Sequence, residues 1–197
     1  TNWSRTDTGE VRSFVISDIT ASSSSGSMNA VPCDGSVTVS LPESKYAGIT
    51  ADKIKLLDKD KKAVDASVTV AGSKVTVSGT ELLAPERDYI IEISHDEYPV
   101  SIPFKTAKKL AVTSLPNGGS LDITVKSLLE KMSVGYDAFY VERDSQGRAV
   151  NIQKGGHKTV DAGKESAEQF STAVGSASGE LYLWDGLKPL TDKIKIK

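Results

Sequence analysis

The sequence predicts an all-β protein built as two antiparallel β-sandwich domains in tandem, over residues 11–107 and 108–197. Three observations predict it. Apolar residues alternate with polar ones at period two through most of the chain, as in Val37, Val39 and Leu41 or Tyr89, Ile91 and Ile93, which is the pattern of strands that bury one face. Turn-forming residues separate these runs at short intervals, including Gly72-Ser73, Asp144-Ser-Gln-Gly147 and Asp185-Gly186. No helical crossover of the length parallel strands require lies between them. The polar stretch Ala107-Lys108-Lys109 interrupts the pattern and reads as a short hinge.

Composition bounds the partners. At 197 residues the chain holds one large or two ordinary domains. A formal net charge of −2 leaves no footprint for nucleic acid or an anionic membrane, and no apolar run approaches the ~20 residues that span a bilayer. Neither nucleic acid nor membrane is an expected partner. The single cysteine, Cys33, excludes an internal disulfide and reads as a small semi-buried residue beside a turn. The chain begins Thr-Asn-Trp, without Met or a signal peptide, and is expected to be a piece of a longer protein.

In the first domain, Thr1 to Glu10 is polar and aperiodic, a lead-in or the tail of a preceding module; Trp3 within it is expected to pack rather than to stack on a sugar. Val11 to Ile19 alternates and reads as the first strand. Ala21 to Ser27 is a Ser/Gly run expected to be an exposed loop. Pro32-Cys33-Asp34-Gly35 is a turn signal before the strand Ser36 to Leu41, and a helical turn is expected around Ser44 to Ala47. Lys53 to Leu57 places Ile54 and Leu56 inward and is followed by Asp58-Lys-Asp-Lys-Lys62, a solvated hairpin tip. Val64 to Ala71 and Lys74 to Ser78 form a hairpin across Gly72-Ser73, and Asp88 to Ser94 and Val100 to Thr106 close the set.

In the second domain, a strand from Leu110 is expected to end at Leu115-Pro-Asn-Gly-Gly119. Leu121 to Leu129 alternates at first, then Ser127 to Met132 reads as a helical turn. Val134 to Arg143 carries Tyr136, Ala138 and Tyr140 on one side and Phe139 and Val141 on the other, so a central, covered position is expected. Arg148 to Gln153 returns after the Asp144–Gly147 turn, and His157 to Val160 follows. Glu165 to Val174 is read as a strand, although Ala167, Phe170 and Val174 also stand at helical spacing. Glu180 to Trp184 is a strand rich in β-favouring residues, stopped by Asp185-Gly186 and Lys188-Pro189. Ile194 and Ile196 then resume the alternation as part of a closing hairpin.

Val31-Pro-Cys-Asp-Gly35, Ile54-Lys-Leu-Leu-Asp58, Leu83-Ala-Pro-Glu-Arg-Asp-Tyr89-Ile-Ile-Glu-Ile93 and Ile102-Pro-Phe-Lys-Thr106 resemble a bacterial Ig-like domain of the kind found in tandem in secreted and surface proteins. That resemblance implies an Ig-like sandwich with Tyr89 buried in the penultimate strand. Tyr140-Val-Glu-Arg-Asp-Ser-Gln-Gly-Arg-Ala-Val150 and Leu181-Tyr-Leu-Trp-Asp-Gly-Leu-Lys-Pro-Leu190 resemble a C-terminal β-sandwich module of secreted Gram-positive polysaccharide-degrading enzymes and surface proteins. This implies a non-catalytic module, in an extracellular or cell-surface setting, whose partners are neighbouring modules of the same parent chain and, in some members, polysaccharide.

No catalytic constellation is expected. Only His95 and His157 are available as bases, one in each half, and there is no Gly-x-Ser-x-Gly elbow. Acidic residues sit mostly at turns or on polar faces rather than as a pair across a cleft. His95-Asp96-Glu97 bunches three metal-ligand types, but consecutive residues rarely converge on one ion, and Asp58 and Asp60 sit among lysines. No metal or cofactor is expected. The candidate ligand-binding residues are the aromatics Trp184, Tyr182, Tyr136 and Tyr140, whose rings suit the faces of sugars. Tyr182 and Trp184 stand two apart on one strand face, which fits either a core face or a ligand platform. The expected function is that of an accessory or spacer unit in a secreted or surface protein, with a glycan-binding or adhesion module as the alternative.

Overall fold

The computed structural model describes residues 19–117, 119–172 and 178–196. The first strands are β1 (Thr20–Ser23), β2 (Val37–Ser40), β3 (Ile54–Asp58), β4 (Ala63–Val64), β5 (Ala66–Ala71), β6 (Lys74–Gly79), β7 (Asp88–Ile93) and β8 (Val100–Lys105), with an α-helical turn, α1 (Glu43–Tyr46), and a 3-10 turn, Ala51–Lys53. They form two four-stranded sheets in the orders β1-β2-β6-β5 and β4-β3-β7-β8, with antiparallel ladders throughout. Alternation decides the packing. Val37, Val39, Val75 and Val77 of one sheet meet Leu56, Ile91, Ile93 and Phe104 of the other in a single buried cluster.

Three details differ from the sequence reading. Ala21 to Ser23, expected in a loop, belong to the strand Thr20–Ser23, because its backbone pairs with Val37–Ser40 as an edge and asks little of its side chains; of the expected first strand, Val11 to Ile19, residues 11–18 lie outside the described residues. The single run read from Val64 to Ala71 is divided at Asp65. Val64 pairs with Leu56, whereas Ala66 onward pairs with β6 in the other sheet. Beside the antiparallel ladders, Val31 and Thr106 form an isolated parallel bridge.

The second set comprises β9 (Leu110–Asn117), β10 (Ser120–Ser127), β11 (Val134–Arg143), β12 (Ala149–Lys154), β13 (Lys158–Val160), β14 (Glu165–Ser171), β15 (Ser178–Asp185), β16 (Lys188–Pro189) and β17 (Ile194–Ile196). One sheet has the order β14-β10-β9. The other runs β12-β11-β15-β16, with β13 also on β11 and β17 also on β15. Leu121, Ile123 and Val125 of the first sheet and Tyr136, Ala138, Leu181 and Leu183 of the second share one core. The expected stop at Leu115-Pro116-Asn117 is instead the end of β9, where Pro116 faces Leu121. Proline fits there because β9 lies at a sheet edge and needs no outward donor. Glu165–Ser171 is a strand, pairing with β10.

Ser127 to Met132 forms no helix; it is a turn whose backbone serves the other sandwich. The Asp34 carboxylate accepts the backbone N–H groups of Glu130, Lys131 and Met132 at 2.8, 2.7 and 2.9 Å. Its neighbour Cys33 is 1% exposed and belongs to the core of the second sandwich, not the first, and Leu82 packs against the same core. The Cys33 Sγ–H donates to the carbonyl of Ala107 at 3.3 Å. The turn at residues 32–35 is therefore a plug joining the two cores.

Candidate ligand-binding face

The central strands β11 and β15 set the faces of the larger sheet. Along β11, Tyr136, Ala138 and Tyr140 point into the core, so Asp137, Phe139, Val141 and Arg143 point out. Along β15, Leu181 and Leu183 point in, which turns Glu180, Tyr182 and Trp184 out. Register brings these outward residues together: Trp184 lies opposite Asp137, Tyr182 opposite Phe139, and Glu180 opposite Val141. On the far side of β11, Lys154 faces Phe139 and Ile152 faces Val141.

The four aromatics singled out from sequence therefore divide between two faces. Tyr136 and Tyr140 are core residues, 0% and 3% exposed, with no ring face open to a ligand; Tyr140 packs against Phe170 with ring centroids 5.7 Å apart. Tyr182 and Trp184 are half-buried on the outer face. The edge-to-face contact of Trp184 with Phe139, at 5.9 Å, fixes the indole. Lys154 Nζ stands 5.6 Å from the Phe139 ring centroid, in cation–π range.

Polar groups frame the rings. The Asp137 carboxylate has Lys154 Nζ at 3.4 Å and His157 Nδ1 at 3.6 Å. Glu180 is the hub of a second cluster. Its Oε1 accepts from Lys193 Nζ at 2.8 Å, and its Oε2 accepts from the Tyr182 hydroxyl at 2.8 Å and from Arg143 Nε and Nη2 at 2.9 and 2.8 Å. Hydrogen bonds from Lys193, Tyr182 and Arg143, in that order, hold its carboxyl down at about 2. Glu180 is thus an anion at neutral pH, and the hydroxyl of Tyr182 is engaged by it. The arrangement places a half-buried indole beside carboxylates that accept hydrogen bonds and cations that donate them.

Sequence reasoning missed Phe139, Asp137, Lys154 and Glu180. The signal for Phe139 was present, since it stands out of phase with Tyr136 and Tyr140 on one strand. Elsewhere, His95 Nδ1 accepts the N–H groups of Glu97 and Tyr98, both at 3.3 Å, and its ring stacks on Tyr98, which makes the His95-Asp96-Glu97 segment a self-bonded hairpin tip. Asp58 Oδ1 likewise accepts from the backbone of Asp60 and Lys62. Among the described residues no group of three or more His, Cys, Asp or Glu side chains could hold a metal ion, and no helix is long and apolar enough to cross a membrane.

A scan against protein-family models finds no match, and a search of curated proteins finds none. Among solved structures the chain is similar to a DUF4785 family protein from Legionella pneumophila, at 12% identity and a TM-score of 0.32, over 91% of this chain and 56% of that one. It is similar also to the N-terminal part of the bacterial S-layer protein SbsC, at 16% identity and a TM-score of 0.32, over 89% of this chain and 42% of that one. The chain thus spans less than two thirds of either structure, and likeness of this degree names no family for it.

Proposed function

We propose that this chain is a non-catalytic accessory unit of a secreted or cell-surface bacterial protein, setting the spacing and orientation of neighbouring modules in the same parent chain. The observation that carries the reading is the joint between the sandwiches. A spacer must transmit orientation, and a flexible linker cannot. Here Cys33 sits in the second core while Asp34 binds three successive backbone amides of the second sandwich. The resemblances to a bacterial Ig-like domain and to a Gram-positive C-terminal module support the same setting, with a carbohydrate-active enzyme as the parent.

The test is a distance distribution between spin labels placed at Lys59→Cys and Gln146→Cys, one at an exposed turn of each half. A narrow distribution that broadens with Asp34→Ala is expected; a broad one in the unsubstituted joint overturns the spacer reading. Release of reducing ends from any polysaccharide by the chain alone would overturn its non-catalytic part.

A second reading is favoured by the outward placement of Trp184 and Tyr182. In it, the outer face of the larger C-terminal sheet is a glycan-binding or adhesion surface.

A further inference from the structure

The second reading can be made chemically specific. Among the described residues, the outer face of the β12-β11-β15-β17 layer carries four cations, Arg143, Lys154, Lys193 and Lys195, against two carboxylates, Asp137 and Glu180. The chain as a whole has a formal charge of −2, so this face is locally positive on a weakly negative protein. The two carboxylates are also committed. Glu180 is held by Arg143 and Lys193, and Asp137 lies between Lys154 and His157. Lys195, opposite Glu180 in the register, is exposed, and the Lys154 side chain is 59% exposed. Both are exposed, on either flank of the row Trp184, Tyr182, Glu180. That row spans about 13 Å along the strand, at two residues per ~6.7 Å, a length that serves several sugar residues of a chain.

Resting on the glycan-binding reading, we infer that this face binds an anionic polysaccharide, with a pyranose ring on Trp184 and the acid groups of the chain met by Lys154 and Lys195. An indole on the same face as the ammonium groups favours a sugar over a simple acidic peptide. The indole stacks on the C–H face of the ring, and the flanking ammonium groups supply the charge attraction. A peptide of acidic residues would meet the same ammonium groups but would leave the indole without a partner.

The experiment is affinity electrophoresis and calorimetry of the full chain with polygalacturonate, with its fully methyl-esterified counterpart and with poly-glutamate. Binding is expected for polygalacturonate, roughly tenfold or more weaker for the esterified polymer, and weakened by added salt as screening shortens the reach of the lysines. Trp184→Ala should lower affinity by roughly tenfold, and Lys154→Glu with Lys195→Glu should abolish retardation. The latter pair alters exposed side chains, so it reports on binding even if removing the indole disturbs the fold. Equal binding of the charged and esterified polymers would overturn the anionic specificity while leaving a glycan-binding face. Binding of neither would overturn the glycan reading and this inference with it. Poly-glutamate binding as strongly as polygalacturonate, with Trp184→Ala silent, would reduce the face to a charge patch and overturn the inference.

Discussion

Asp34 and Lys131 lie 97 residues apart in the chain, yet the Asp34 carboxylate accepts the Lys131 backbone N–H at 2.7 Å. With the neighbouring amides of Glu130 and Met132 it makes one side chain of the first sandwich the anchor for a turn of the second. Burial works against ionising Asp34, but the three amides outweigh it, and its carboxyl is held below the ordinary Asp value. A value depressed in the folded protein contributes stability that is complete above the unfolded value and is lost as pH falls through the folded one. The joint should therefore loosen from about pH 4 downward. Asp34→Ala should destabilise the folded chain by about 1–3 kcal/mol in chemical denaturation, and Asp34→Asn should remove this part of the acid sensitivity. Unchanged exchange protection of the Glu130, Lys131 and Met132 amides in Asp34→Ala would refute the anchoring role.

Cys33, next to that anchor, should be chemically silent. Burial, opposed by the nearby Lys109 charge, pushes its thiol up to about 11. At pH 8 the thiolate fraction is then roughly 100-fold below that of an ordinary cysteine. Labelling with a chromogenic disulfide should be slower than in the unfolded chain by at least that factor. A rate near that of free cysteine would mean the plug is not seated in the second core.

How much of this was legible follows from the range of each interaction. Burial of Val37, Val39 and Leu41, or of Tyr89, Ile91 and Ile93, is a local period-two property, so alternation found those faces directly. The role of Asp34 was hidden because its partners are remote in sequence, and a turn signal says nothing of what the turn touches. Pro116 looked like a terminator because its tolerance depends on β9 being an edge, a fact of sheet order rather than of neighbouring residues. Tyr136 and Tyr182 show the limit most clearly. Alternation fixes the relative phase within a strand, but both faces of β11 are apolar, so only the opposing sheet decides which phase is core.

The close approach of Tyr140 to β15 depends on Gly179. A Cβ there would lie 2.5 Å from the Tyr140 hydroxyl oxygen and from its ring. Tyr140 is 3% exposed and packed against Phe170, so it has nowhere to retreat. Gly179→Ala should cost about 1–3 kcal/mol by overpacking. Gly155 gives the contrast: its added Cβ would meet the Glu168 carboxylate, the end of a flexible and only half-buried side chain. Gly155→Ala should be the milder change in a denaturant series. The reverse order would show that Glu168, not Tyr140, is the immovable neighbour.

The two faces of β15 should respond differently to truncation. Leu183 is 0% exposed in the core, whereas Trp184 is half-buried on the outer face. Leu183→Ala should cost about 2–5 kcal/mol, transfer and cavity terms together. Trp184→Ala, despite removing the larger side chain, should cost less, since it opens no internal cavity and loses chiefly the contact with Phe139. Equal or larger destabilisation by Trp184→Ala would place the indole in the structural framework and weaken its use as a platform.

Glu180 supplies a pH signature separate from that of the joint. Its carboxyl sits at about 2 because Lys193, Tyr182 and Arg143 all donate to it. The unfolded chain titrates this group near 4.3, so folding favours its ionised form. The stability it contributes is complete above that value and is lost as pH falls from there to the folded value. Glu180→Gln should therefore be less stable than the unsubstituted chain at neutral pH, and the gap should narrow steadily on acidification, whatever Asp34 does in the same range. Carbon-detected NMR of the Glu180 side chain reads the same quantity directly. A midpoint in the ordinary glutamate range would mean that the three donors do not converge in solution. In that case Tyr182, released from Glu180, would present a free hydroxyl on the outer face beside Trp184.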